Sequence, residues 1–123
     1  MAGHRVMSID LSGRCILVVE DEPLIAMEIA AALQSVWATV RTARTLQEAL
    51  LLVKEPTLSV AMIDLALGEE SAAALCSLLA ERKVPFMIYT GYPDIPAECK
   101  PDAVVQKPAD PATIVRVVAA LVR

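Results

Sequence analysis

Four apolar runs each stop at a residue able to take part in phosphoryl or metal chemistry. CILVV is followed by Glu20-Asp21, LSVAMI by Asp64, PFMIY by Thr90 and AVVQ by Lys107. Singly, each has an ordinary explanation: an acid after a strand caps the next helix, Thr-Gly makes a turn, and a lysine extends into solvent. Together they are not ordinary. Parallel strands present their carboxyl ends at one edge, where ligands of open α/β sheets bind. Glu20, Asp21, Asp64, Thr90 and Lys107 would then converge. Clustered carboxylates repel one another, so such a group holds a cation. An all-oxygen set with room for water suits Mg2+, which favours a few carboxylates completed by a phosphoryl oxygen. A lysine among the acids partly neutralises them and grips one phosphoryl oxygen, and a threonine hydroxyl hydrogen-bonds another. That leaves Asp64 as the carboxylate placed to attack phosphorus, giving an aspartyl phosphate.

The elements that must position these residues alternate along the chain. CILVV (15–19) is a continuous β-branched run, expected as a strand covered on both faces. EDEPLIAMEIAAALQSV follows, with a proline suited to a first helical turn and apolar residues at helical spacing at Leu24, Met27, Ala31 and Val36. WATVRTA (37–43) is a weaker strand, and TLQEALLLVK (45–54) a helix stopped before Pro56. LSVAMID (58–64) is a buried strand, EESAAALCSLLAERK (69–83) a helix, PFMIYT (85–90) and AVVQK (103–107) strands, and DPATIVRVVAALVR (110–123) a closing helix. Alternation of this kind implies βαβ units and a parallel sheet with helices on both faces. The break in the pattern is the stretch from Gly91 to Asp102, which contains Pro93, Pro96 and Pro101. A proline inside a helix costs about 3 kcal/mol, so at most one short turn is expected there.

Composition narrows the classes. The chain has 123 residues, enough for one domain, and is 56 % hydrophobic but only 3 % aromatic, so its core is aliphatic. Residues 1–12 are expected to form a flexible arm and 13–123 the folded domain. A net charge of −4 and a pI of about 4.9 argue against a sequence-independent nucleic-acid binder. No apolar run is long enough to span a membrane or to act as a secretory signal. Cys15, Cys76 and Cys99 form no CxxC pair and are expected as reduced, buried thiols of a cytoplasmic protein. The single histidine, His4, lies in the expected arm, which leaves neither a usual zinc site nor a well-placed Ser-His-Asp triad.

With these residues in place, the stretch from about Arg14 to Arg123 resembles the receiver domain of two-component response regulators. VVEDE carries the family's acidic pair, MIDLAL its phosphoacceptor at Asp64, YTG its switch threonine at Thr90, and QKP its lysine–proline pair at Lys107 and Pro108. The resemblance implies a flavodoxin-like doubly wound sheet of five parallel strands in the order 2-1-3-4-5. It also implies Mg2+ held by Glu20, Asp21, Asp64 and the backbone carbonyl of Ala66. The implied partners are a sensor histidine kinase or a histidine phosphotransfer protein as donor and a further protein as target, with self-association an additional expectation. FMIYTGY is similar to the FAT-GUY subclass of receivers, and the fourth helix of the usual fold is expected to be shortened or missing.

Other departures affect the expected switch. Val104 stands where receivers carry an aromatic residue that turns inward, and Tyr92 is either its substitute or a plain surface aromatic. In receivers the side chains at the positions of Ala66 and Tyr92 flank the path of the hydrolytic water, so slow self-dephosphorylation is expected. Ile95, Val104, Val115 and Val118 are the expected lining of an apolar partner surface. The alternative is a pseudo-receiver that binds partners without phosphorylation, against which the complete acidic and cationic set weighs. A phosphohydrolase of the haloacid-dehalogenase type would want a second aspartate where Ala66 stands.

Overall fold

Short runs of consecutive apolar residues, rich in β-branched side chains, form strands buried on both faces. In the computed structural model, which describes residues 8–64, 69–91 and 95–122, these are β1 (Cys15–Val19), β3 (Leu58–Asp64) and β4 (Phe86–Thr90). Every residue of β1 and β4 is buried, as is every residue of β3 except Ser59. The more polar TVRTA and AVVQ form β2 (Thr39–Ala43) and β5 (Ala103–Gln106), and both lie at the edges. All four pairings are parallel, in the order β2-β1-β3-β4-β5. This is the doubly wound order that the alternation and the resemblance imply.

The helices α1 (Pro23–Gln34), α2 (Leu46–Leu52), α3 (Glu69–Glu81) and α4 (Pro111–Leu121) cover both faces. The two-residue period of the strands divides the aliphatic core between them. Ile16, Val18, Met87 and Tyr89 pack under α1 and α4, and Leu17, Val19, Phe86 and Ile88 pack under α2 and α3. Leu11 joins the first of these cores, and its N–H donates to the carbonyl of Val36 at 2.8 Å. The chain therefore enters the fold before residue 13, the expected boundary of the arm.

The apolar face expected on α1 is corrected by the structure. Ala26, Ile29 and Leu33 face the sheet, while Leu24 and Met27 are 69 % and 65 % exposed. PLIAMEIAAAL is apolar nearly all round, so spacing alone selects no face, and the packing against β1 and β2 does. Val115 and Val118, expected at a surface, are buried on the inner side of α4. Of that expected set, Val104 is exposed and Ile95 half-buried.

Between β4 and β5 the described residues contain no helix, only a turn at Ala97-Glu98. Irregular backbone must find partners outside itself, and three attachments hold the described residues of this stretch. Ile95 packs into the α2–α3 core. Cys99 forms a disulfide with Cys76 of α3. Asp102 clamps the start of β4: its N–H donates to the Phe86 carbonyl at 2.9 Å, and its Oδ2 accepts the Phe86 N–H at 3.0 Å. The expectation of three reduced thiols is thus corrected, and Cys15 alone is free and buried. Cysteine spacing does not report which loop folds back onto which helix.

Both α1 and α3 end in the same way. Trp37 N–H donates to Gln34 O and Ala38 N–H to Leu33 O; Lys83 and Val84 repeat the pattern with Ala80 and Leu79. Such a cap needs a left-handed residue, usually glycine, yet Trp37 has φ 76° and Lys83 φ 59°. A side chain in that region costs about 1–2 kcal/mol, and Trp37, 70 % exposed, recovers little by packing. Trp37→Gly is expected to raise the free energy of unfolding by about 1 kcal/mol, read by urea denaturation. A loss of stability would mean that the indole contributes contacts that outweigh its backbone cost.

Candidate functional site

Each site residue is the last of a strand or follows it directly, so the strand ladder sets its position. Glu20 continues β1, and its N–H donates to the Ala43 carbonyl at 2.9 Å. Its side chain is only 1 % exposed, and Oε2 accepts the N–H of Glu22 at 3.0 Å, turning the chain into Pro23 at the start of α1. Asp21 is exposed, while Asp64 closes β3 and is buried. Thr90 closes β4 and is buried as well. Lys107 follows β5 and is tied to β4, since its N–H donates to the Thr90 carbonyl at 2.8 Å. Its ammonium reaches across to Asp64, with Nζ 2.8 Å from Oδ2.

Glu20, Asp21 and Asp64 each offer a carboxylate oxygen, and these oxygens lie within 4.8 Å of one another. Among the described residues one ammonium, that of Lys107, faces this acidic cluster, so their charges leave an excess of negative charge. The consequence falls on Glu20. Burial first, then contact with Asp64 and its charge, push its carboxyl up to about 7, against the partial relief given by the Glu22 N–H and Lys107. Its Oε1 is buried with no hydrogen-bond donor, and only a proton held against Asp64 or a cation would satisfy it. Burial acts to lower the pKa of Lys107, but the hydrogen bond and charge of Asp64 outweigh that effect and hold it above the ordinary lysine value. A lone buried acceptor, three hard oxygen donors and unneutralised charge together fit a divalent cation.

The structure thus brings together Glu20, Asp21, Asp64 and Lys107, with Thr90 at the neighbouring strand end. Ala66 and Tyr92, expected to supply a carbonyl ligand and to flank the water, lie outside the described residues. Sequence reasoning missed Tyr89. Its ring centroid lies 5.3 Å from Lys107 Nζ, and its hydroxyl accepts the N–H of Ala109 at 3.0 Å. It therefore braces the segment that carries the lysine. The available signal was an aromatic at a strand end in a chain with so few. A cavity of about 590 Å³ opens at the other end of the sheet, lined by Arg14, Ser59, Pro85 and Asp102, and takes no part in the acidic site.

Comparison with known proteins agrees with this geometry. The profile of the Response regulator receiver domain matches residues 16–119. Phyllosphere-induced regulator PhyR of Methylorubrum extorquens is 36 % identical over 110 residues, 84 % of this chain and 41 % of that protein. The chain therefore spans about two fifths of the length of this curated relative. The structure of PhyR from Brucella abortus is similar with a TM-score of 0.76 at 26 % identity, over 98 % of this chain and 52 % of that one. A response regulator of Burkholderia pseudomallei, solved with a phosphorylated aspartic acid, calcium ion and citrate, gives a TM-score of 0.72 at 26 % identity, over 89 % of this chain and 66 % of that one.

The raised Glu20 value makes stability depend on pH. Between about 4.5, the ordinary value, and about 7, folded Glu20 keeps a proton that the unfolded chain has lost. Stability of the cation-free protein should therefore fall as pH rises through that window. Denaturation in chelator at pH 5 and pH 8 measures the fall. Glu20→Gln is expected to flatten it and to reduce the stabilisation given by added Mg2+. A variant that kept the full decline would place the titrating group elsewhere.

Proposed function

Because the chain belongs to the response regulator receiver domain family of two-component signalling, we propose that Asp64 accepts a phosphoryl group from the phosphohistidine of a sensor histidine kinase or histidine phosphotransfer protein. The observation that carries this reading is the Lys107–Asp64 contact at 2.8 Å beside the buried, unpartnered oxygen of Glu20. A carboxylate oxygen of Asp64 forms the new P–O bond while the P–N bond of the donor breaks on the far side of phosphorus. The Lys107 ammonium shifts from Asp64 toward a phosphoryl oxygen, and the Thr90 hydroxyl donates to another. Glu20, Asp21 and Asp64, with the backbone carbonyl of Ala66 as the resemblance implies, would hold Mg2+, which would supply the positive charge that an anionic phosphoryl group needs in order to approach this acidic site. The phosphorylated aspartic acid and calcium ion of the Burkholderia protein support the same pairing of phosphoryl group and hard cation here.

On this reading the protein is a signalling switch of the cytoplasm rather than a turnover enzyme. Phosphorylation draws Thr90 toward Asp64, the following connection shifts, and affinity for a protein partner changes. The exposed Val104 on the edge strand β5 is the place where that partner, or a second copy of the chain, would meet the connection. Ala66 offers no group to orient a water, and Tyr92 is bulky enough to obstruct one, so the phosphoprotein decays slowly.

The test is incubation with acetyl phosphate and Mg2+, followed by intact mass. One phosphoryl group is expected on the parent, none on a folded Asp64→Asn variant, and none in excess chelator. Labelling that survives in Asp64→Asn would remove Asp64 from its role. A folded parent that never labels would leave a pseudo-receiver.

A further inference from the structure

The receiver reading requires the chain after Thr90 to move, and a disulfide holds that stretch. Cys76 sits on the inner side of α3 among Leu75, Leu79 and Ile88, a fixed point of the core. Cys99 lies in the connection, with a Cα–Cα distance of 5.0 Å to Cys76. With the bond closed, residues 91–98 alone are left between the end of β4 and the anchor. With it open, that span runs on to the Asp102 clamp on Phe86.

We propose that Cys76 and Cys99 form a reversible redox modification site whose state sets how readily Asp64 takes up phosphate, an inference that rests on the receiver reading. A cytoplasmic protein meets a reducing thiol pool, and disulfides there are characteristically transient or redox-sensing rather than permanent. The pair is built for both states. The Cys99 sulfur is 3.5 Å from the Ala72 carbonyl oxygen, an acceptor for its thiol proton after reduction. Both sulfurs are buried, but the turn residues Ala97 and Glu98 beside Cys99 are exposed, so local opening of that turn gives a reagent access. Cys15 does not compete: it is buried in β1, and burial raises its thiol pKa, keeping it protonated.

Oxidation by a small disulfide balances without any further reactant. The thiolate of one cysteine attacks the small disulfide and expels one thiolate, and the second cysteine then resolves the mixed disulfide and expels the other. Two electrons pass to the small disulfide, and the two cysteine protons end on the thiols released. A dithiol reductant runs the same exchange in reverse.

The coupling follows from shared backbone. Phosphorylation displaces Thr90, and the segment behind it must follow. An anchor at Cys99 opposes that movement, so the oxidised form resists phosphorylation and the reduced form accepts it. By reciprocity, the phosphorylated protein gives up its disulfide more easily.

The experiment uses the full chain, oxidised with oxidised glutathione or reduced with dithiothreitol, then exposed to acetyl phosphate and Mg2+. Alkylation under denaturing conditions is expected to count one free thiol in the oxidised sample and three in the reduced, as the chain has Cys15, Cys76 and Cys99. The reduced sample should label several-fold faster. The Cys76→Ser/Cys99→Ser double variant should label at the reduced rate in both media. Amide exchange over residues 95–102 should be faster in the reduced parent, a readout that needs neither variant nor phosphate. Equal labelling of fully oxidised and fully reduced parent overturns the coupling, and three free thiols after oxidation overturn the site. If neither sample labels, the receiver chemistry itself fails and the coupling with it, while thiol count and exchange still report separately on the bond.

Discussion

Two carboxylates buried within a few ångströms of each other, with the Lys107 ammonium bound to one of them, are the constraint around which this protein is arranged. Burying a charge costs several kcal/mol unless it is paired and hydrogen-bonded. Asp64 has Lys107, whereas Glu20 has a single backbone N–H and an oxygen with no donor. The fold maintains this imbalance through its core. Apart from Ser59, β1, β3 and β4 are apolar on both faces up to the residue before the site, so water is kept from the acids and the strands have no cheaper register to slip into. The same burial that raises the Glu20 carboxyl to about 7 keeps the site unsatisfied until a cation and an anion arrive together. An exposed cluster of the same three acids would be screened and would lack that demand.

Much of this was legible in the sequence because the chemistry sits at strand ends. An apolar run defines its own terminus, and parallel order brings consecutive termini to one edge. Asp64 after LSVAMI and Thr90 after FMIY could therefore be placed next to each other before any geometry was known, and the structure pairs Asp64 with Tyr89, one residue before Thr90. What failed to show depended on rotation or on loops. The buried face of α1 could not be chosen because Leu24 and Met27 are as apolar as Ile29 and Leu33; the helix turns according to what the sheet offers. Val115 and Val118 turn inward for the same reason, in a helix whose apolar residues exceed one face. The bond between Cys76 and Cys99 depended on a loop path that proline content could mark as non-helical but could not trace.

Losing a helix between β4 and β5 has a physical consequence beyond a smaller surface. A helix satisfies its own backbone and moves as a rod, whereas the described residues of the irregular stretch here are held by outside ties at Ile95 in the core, the bond at Cys99 and the Asp102 clamp. Each tie is attached to a different element, so the stretch is pinned at points rather than packed along a face. Its response to a displacement therefore depends on which ties hold.

The path by which a change at Asp64 reaches that stretch is short and passes through β4. Thr90 ends the strand, and its carbonyl accepts the Lys107 N–H, so the threonine and the lysine share one backbone hydrogen bond. Tyr89, the residue before, accepts the Ala109 N–H and faces the Lys107 ammonium. The ends of β4 and β5 are thus coupled through backbone and side chain, and in the proposed reaction pulling Lys107 from Asp64 toward a phosphoryl oxygen would load the same hydrogen bonds that locate Thr90. The edge strand β5, paired in the sheet with β4 alone and anchored in the core by Val105, is the strand with fewest ladder bonds to resist that load. With no helix among the described residues between these two strand ends, that movement would pass directly into the tethered connection, and in the proposed switch the state of its ties would matter.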